Sequence, residues 1–262
     1  MNKRILALTL WFAALPLLNA QAQTAEEKGL QIAQEADVRD TGWKSQSSTM
    51  KMILRNAEGR ESTRAIRSKT LEVSGDGDKA LSIFDTPPDV KGTAFLSYTH
   101  VQKADEQWLY LPALKRVKRI SSNNKSGPFM GSEFAYEDIS SQEVGKYTYK
   151  WLRDEKIENR DCFVVERVPT YKHSGYTRLI TWMDKQTYRP LKIDFYDRKN
   201  ELMKTLTQHE FKQYLDKYWR PSRMEMKNHV TNKSTTLLWE NFQFGINLSD
   251  KDFDRNALKR IR

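Results

Sequence analysis

The sequence predicts a mainly-β (α+β) protein, an antiparallel meander of short strands that curls or closes, with a helix at each end. Three observations predict it. Beyond Gly42 apolar and polar residues alternate with period two, the signature of half-buried strands. Turn signals such as Asp154-Glu155-Lys156, Lys185-Gln186-Thr187, Asp197-Arg198-Lys199-Asn200 and Thr231-Asn232-Lys233 recur at fairly regular spacing. Only Thr24 to Asp40 carries a strong helical pattern near the N-terminus. The 262 residues suffice for one large β domain with a sizeable core. With 30% charged and 11% aromatic residues, neither a disordered chain nor a polytopic membrane protein fits.

Residues 1–22 read as a secretory signal. Lys3 and Arg4 form a positive start, Ile5 to Leu18 an apolar run, and Ala20-Gln21-Ala22 a small-residue cleavage site. At about 14 residues the run is short of the roughly 20 that span a bilayer. Cleavage near Ala22 leaves residues 23–262 as a single domain in the periplasm. The chain is basic, with 44 Lys+Arg against 34 Asp+Glu, a formal charge of +10. For an exported protein this points to anionic lipid surfaces or acidic partners, not nucleic acid. The single cysteine, Cys162, excludes a disulfide framework and sits in an apolar run as a small hydrophobe.

Thr24 with Glu27 three residues on forms a capping box, and Asp40-Thr41-Gly42 ends the first helix. Met50, Met52 and Leu54 then alternate with polar residues, and Asn56-Ala57-Glu58-Gly59 turns the chain into a strand from Glu61 to Val73. Further strands are expected at 79–85, 93–99, 107–111, 146–153, 161–169, 177–184, 190–196, 202–211, 218–230 and 235–244. Ser249 to Arg262 reads as a short capped helix with a basic tail. Alternation places Tyr147, Tyr149 and Trp151 together, Ile180 with Trp182, and Leu238 with Phe242 and Phe244. With Leu191, Ile193 and Phe195 these form a broad apolar inner face, which two short helices cover only in part. A large curved sheet of this kind either closes on packed side chains or encloses a cavity.

The segment from Asp105 to Asp138 is the most informative. Trp108 and Tyr110 share one face of a strand that ends at Pro112, and Lys115, Arg116, Lys118 and Arg119 place four cations within five residues. After a polar spacer, Gly127 and Gly131 bracket Phe129 and Met130, a flexible loop tipped with large apolar groups. Such loops cover pockets or touch partners. Ser132 and Glu133 then open a short helix ending near Asp138.

These residues carry a resemblance. The run WLYLPALKRVKRI followed by GPFMGSEFAYEDI resembles the signature of LolA-like outer membrane lipoprotein-sorting proteins, and more closely the longer branch found beside RND-type (MMPL-like) lipid exporters. The motif covers about 35 residues, and the order of elements agrees over most of the mature chain. The resemblance implies an incomplete β-barrel curled around short helices, with a hydrophobic cavity between them. It implies a periplasmic carrier of lipid or lipoprotein acyl chains, without catalysis or cofactor, partnered by an inner-membrane RND/MMPL-type transporter and touching membranes peripherally. Trp108, Tyr110, Leu111, Phe129, Met130, Phe134 and Tyr136, with Trp151 and Trp182, are the candidate cavity residues. Lys115, Arg116, Lys118 and Arg119 are the candidate headgroup or partner contacts. The alternative is a β-rich adaptor with a filled core and no cargo.

Enzyme readings fail. Ser48-Thr49-Met50-Lys51 and Ser122-Asn123-Asn124-Lys125 match Ser-x-x-Lys, but neither opens a helix and no Lys-Thr-Gly follows. There is no Gly-x-Ser-x-Gly and no His-Glu-x-x-His. His100, His173, His209 and His229 stand apart, giving no metal-ligand spacing. Of the carboxylates Asp85, Asp105, Glu137 and Asp138, the last two are expected to neutralise the Lys115–Arg119 cluster across the cavity mouth.

Overall fold

A computed structural model describes residues 23–260; residues 1–22, where a secretory signal is expected, and the last two residues lie outside the described residues. The chain forms one antiparallel sheet of thirteen strands in the order β6-β5-β4-β3-β2-β1-β13-β12-β11-β10-β9-β8-β7. The first strand, β1 (Ser45–Arg55), pairs with the last, β13 (Ser234–Phe244), so the two ends of the meander meet in mid-sheet. The free edges are then β6 (Arg116–Ile120) and β7 (Tyr147–Ile157), consecutive strands whose connection must cross from one edge to the other. The sheet is open, a curled half-barrel.

The expected strands form with small shifts at their ends. On one flank lie β2 (Glu61–Leu71), β3 (Lys79–Thr86), β4 (Ala94–Tyr98) and β5 (Glu106–Leu111). On the other lie β8 (Arg160–Pro169), β9 (Arg178–Asp184), β10 (Pro190–Tyr196), β11 (Leu202–Tyr214) and β12 (Tyr218–Asn228). Helix α1 (Ala25–Arg39) starts at the Thr24–Glu27 capping box and lies against β7. Gly29 allows this approach, since a Cβ there would stand 2.7 Å from the Trp151 backbone nitrogen. Any side chain at this position would push the helix off the strand.

Period two sorts the strand residues onto two faces. The concave face holds the largest core, with Met50, Met52, Ile66, Phe84, Phe95, Leu109, Tyr147, Tyr149, Leu179, Ile193, Phe195, Leu206, Met226 and Leu237. On the convex face, Leu81, Ile83, Leu96, Trp108 and Tyr110 pack beneath Phe253 and Leu258. The expected C-terminal helix is two 3-10 segments, Asp250–Phe253 and Arg255–Arg260, the first capped by Ser249.

Three expectations about faces are corrected. Trp182 and Ile180 do share a face, but it is the convex one, with Cys162, Val164 and Leu191. Leu191 departs from Ile193 and Phe195 because the β9–β10 register shifts between Pro190 and Lys192. Leu238 departs from Phe242 and Phe244 because the β1–β13 register shifts between Ser47 and Thr49. Trp239 stacks on Phe242 instead, at 6.1 Å. Each bulge inserts one residue and so flips every side chain beyond it.

Candidate functional site: a half-barrel filled by its own connecting segment

The connection from β6 to β7, residues 121–146, dives through the concave side. Its central part is a tight loop closed by the Pro128–Ala135 bridge and by the Phe129 N–H donating to the Phe134 carbonyl at 2.7 Å. Met130 and Gly131 both take left-handed backbone, φ 51° and 77°, which turns the loop within three residues. No helix forms between Ser132 and Asp138. The serine Oγ donates to the Phe129 carbonyl at 2.7 Å, so the segment bonds inward on itself.

The apolar tip is therefore buried. Phe129 is 1% exposed and packs edge-on against Phe95 (5.1 Å) and Tyr136 (5.4 Å), with Phe84 at 6.0 Å. Phe134 is 2% exposed, and Met130 packs against the same core. The hollow expected from the sequence is occupied by these side chains, which together form a plug. Two clefts lie open beside it. One, of about 470 Å³, is lined by Leu109, Leu111, Lys118, Ile120, Pro128 and Tyr136 among others. The other, of about 390 Å³, includes Leu54, Arg60, Gly131, Glu133 and Lys233.

Polar pins hold the plug. Lys204, on the inward face of β11, donates to the Glu133 carbonyl at 2.9 Å and to the Asp138 carboxylate at 2.7 Å. That ion pair is almost solvent-free, with side chains 4% and 5% exposed. Tyr176 donates to Asp138 at 2.9 Å, and Arg64 to the Met130 carbonyl. Asn228 donates to the Glu133 carboxylate at 2.7 Å, and the Glu133 N–H to the Thr235 hydroxyl at 3.0 Å. Gln107 reaches the Tyr136 carbonyl at 3.0 Å. Glu137 accepts from Tyr171, Ser174 and the Gly175 N–H at 2.9, 2.9 and 2.8 Å. Burial raises its pKa, and these three hydrogen bonds oppose the rise. Asp105 holds both flanks of the connection, pairing with Lys125 at 3.2 Å and with Lys146. Burial lowers the Lys125 pKa, against the pull of Asp105.

The expected site residues thus divide. Phe129, Met130, Phe134 and Tyr136 come together in the plug, and Leu111 lines the neighbouring cleft. Trp151 shares the concave face but lies under α1, with the Lys28 ammonium 3.4 Å from its ring centre. Trp108 and Tyr110 are on the opposite face under Phe253, and Trp182 is convex with Lys192 over its ring at 4.0 Å. Glu137 and Asp138 do not meet the basic cluster. Lys115 sits in a left-handed turn, while Arg116, Lys118 and Arg119 lie along exposed edge strand β6. Arg119 is 3.4 Å from Glu106. The sequence reading missed Lys204, although period two sets it on the face of buried Leu206, where a cation requires a carboxylate.

Among the described residues no cluster of His, Cys, Asp and Glu can hold a metal ion, and no helix is long and apolar enough to cross a membrane.

An open, curled antiparallel sheet with few helices is the LolA-like half-barrel architecture. A crystal structure of a LolA superfamily protein from Nitrosomonas europaea superposes with a TM-score of 0.70 at 23% identity, over 90% of this chain and all of that one. A DUF1329 family protein from Desulfovibrio piger gives 0.85 at 29% identity, over 90% of this chain and 100% of its own. A Vibrio parahaemolyticus structure described as an outer membrane lipoprotein-sorting protein domain gives 0.88 at 60% identity, again over 90% and 100%. A family model described only as an uncharacterized protein matches residues 76–260. No curated protein sequence matches the chain. The chain belongs to the LolA-like outer membrane lipoprotein-sorting family.

Proposed function

We propose that the protein is a periplasmic, non-catalytic carrier of lipid or lipoprotein acyl chains, passing them between an inner-membrane RND-type transporter and the outer membrane. The observation that carries this reading is the construction of the concave interior. An apolar face runs the width of the half-barrel, and its filler at β3–β5 is a loop held by separable polar pins. A chain of about 16 carbons gains on the order of 10 kcal/mol gross on leaving water. Expelling Phe129 and Phe134 returns roughly 2–3 kcal/mol each to solvent, before the pins are counted. The exchange is close enough to balance to be reversible, which a carrier requires. Leu111, Met130 and Tyr136 take the first part of the chain, in the cleft beside the plug. Trp151 extends that surface toward α1. Lys115, Arg116, Lys118 and Arg119 face the anionic partner or headgroup. Trp108, Tyr110 and Trp182 have no part in the cavity.

The filled interior favours a second reading, an adaptor of an envelope complex that never holds cargo. Mass spectrometry of organic extracts of the purified full-length protein separates the two. The carrier reading expects stoichiometric co-purifying lipid, or uptake of a fluorescent fatty acid that Leu111→Asp, in the cleft that takes the chain first, abolishes. No lipid and no uptake leave the adaptor.

A further inference from the structure

We propose that β6 is a docking edge that takes up an extended acidic segment of a partner protein as a fourteenth strand. This goes beyond the carrier reading in naming the partner's chemistry, and it rests on that reading only for the partner being a transporter. β6 ends the sheet, and among the described residues no backbone hydrogen bond engages Arg116–Ile120 outside its ladder with β5. Its outward N–H and C=O groups are a template for another strand. The other edge, β7, is crossed by α1, whereas the last 3-10 segment packs on β6 at a few residues.

Charge decides which strand fits. Lys115, Arg116 and Lys118 have no carboxylate partner among the described residues, and Arg119 has only Glu106, with its own side chain 66% exposed. Ile120 faces the concave core and Val117 the convex one, so Arg116 and Lys118 project on the concave side and Arg119 on the convex. A second copy of β6 brings like charges opposite one another and is repelled, while acidic residues meet cations on both faces. The cleft floored by Leu109, Leu111, Ile120 and Tyr136 lies alongside on the concave face, shaped for an apolar side chain of the incoming strand. It also touches Gly127 and Pro128, the start of the plug, so an occupied edge is in contact with the segment that fills the half-barrel.

The test uses the full chain and nine-residue peptides in which Val is interspersed with Glu, or with Lys, so that both faces of the strand carry charge. The Glu peptide is expected to bind, to weaken with salt, and to slow amide exchange across Arg116–Ile120. A Glu peptide N-methylated at alternate backbone positions along its pairing edge is expected to lose at least tenfold in affinity. Arg116→Glu, Lys118→Glu and Arg119→Glu combined are expected to transfer the preference to the Lys peptide. Equal binding of the methylated peptide, protection elsewhere, or binding of phosphatidylglycerol vesicles but not of the Glu peptide each overturns the proposal. Peptide docking in a protein that takes up no lipid removes the carrier reading and keeps this one, and lipid uptake without peptide docking does the reverse.

Discussion

Lys204 is the residue on which the closed plug most depends. Two buried ions were removed from water to make its contact with Asp138, and the pair is sustained by Tyr176 and the Glu133 carbonyl completing its hydrogen bonds. Lys204→Met leaves an uncompensated buried carboxylate, so unfolding by denaturant is expected to show a loss of about 3–5 kcal/mol. Adding Asp138→Asn to that variant is expected to return most of it, and a loss below about 1 kcal/mol for Lys204→Met contradicts the assignment. Asp78 offers a second residue-scale prediction. Burial pushes its carboxyl up to about 6, opposed by the Ser141 hydroxyl and aided by Glu143 and Glu72. A folded-state pKa above the unfolded one favours the protonated form on folding. This contribution is therefore fully present below pH about 4 and is lost as pH rises toward 6. Asp78→Asn, which keeps a group able to accept from Ser141, is expected to remove that slope and to stabilise the protein by about 1–3 kcal/mol at pH 7. A pH profile of thermal unfolding unchanged by the substitution contradicts it.

Among the elements, alternation was a reliable guide wherever the ladder ran without interruption, as along Tyr147–Trp151, whose three aromatics share the concave face. It failed at the bulges beside Leu191 and Leu238, since one inserted residue reverses the pattern and leaves no mark in composition. It also could not choose between faces. Trp108 and Tyr110 are together as expected, but which face they occupy depends on Phe253 and Leu258, about 150 residues away in sequence. Strand β6 was hidden because charges fill four of the six positions 115–120, leaving no apolar alternation to read. The Phe129–Met130 tip was recognisable as unusual, yet it reads as an exposed cap until the topology is known. Only the pairing of β1 with β13 makes β6 and β7 the two edges, and only then must the connection pass through the interior. The pins follow the same logic, since Asp105, Lys204 and Tyr176 reach the plug from strands and loops far from it in the chain.

At the scale of the molecule, an open thirteen-strand sheet has an apolar concave surface too wide for one helix. α1 covers the β7 side, and the 121–146 connection covers the β3–β5 side. A helix in that second place would be a permanent layer. A loop with left-handed turns at Met130 and Gly131, pinned by side chains rather than by a backbone ladder, is a layer that can leave. On the proposed carrier function, the filled half-barrel is one of two states, and cargo selects an emptied one by taking the space of Phe129 and Phe134. Amide exchange along Phe129–Glu137, measured with and without a saturating palmitoyl phospholipid, tests this most directly. Faster exchange in that segment on lipid loading, with the β1 and β13 ladders unchanged, is the predicted result. Lipid bound while those amides stay as protected as in the empty protein would contradict the account.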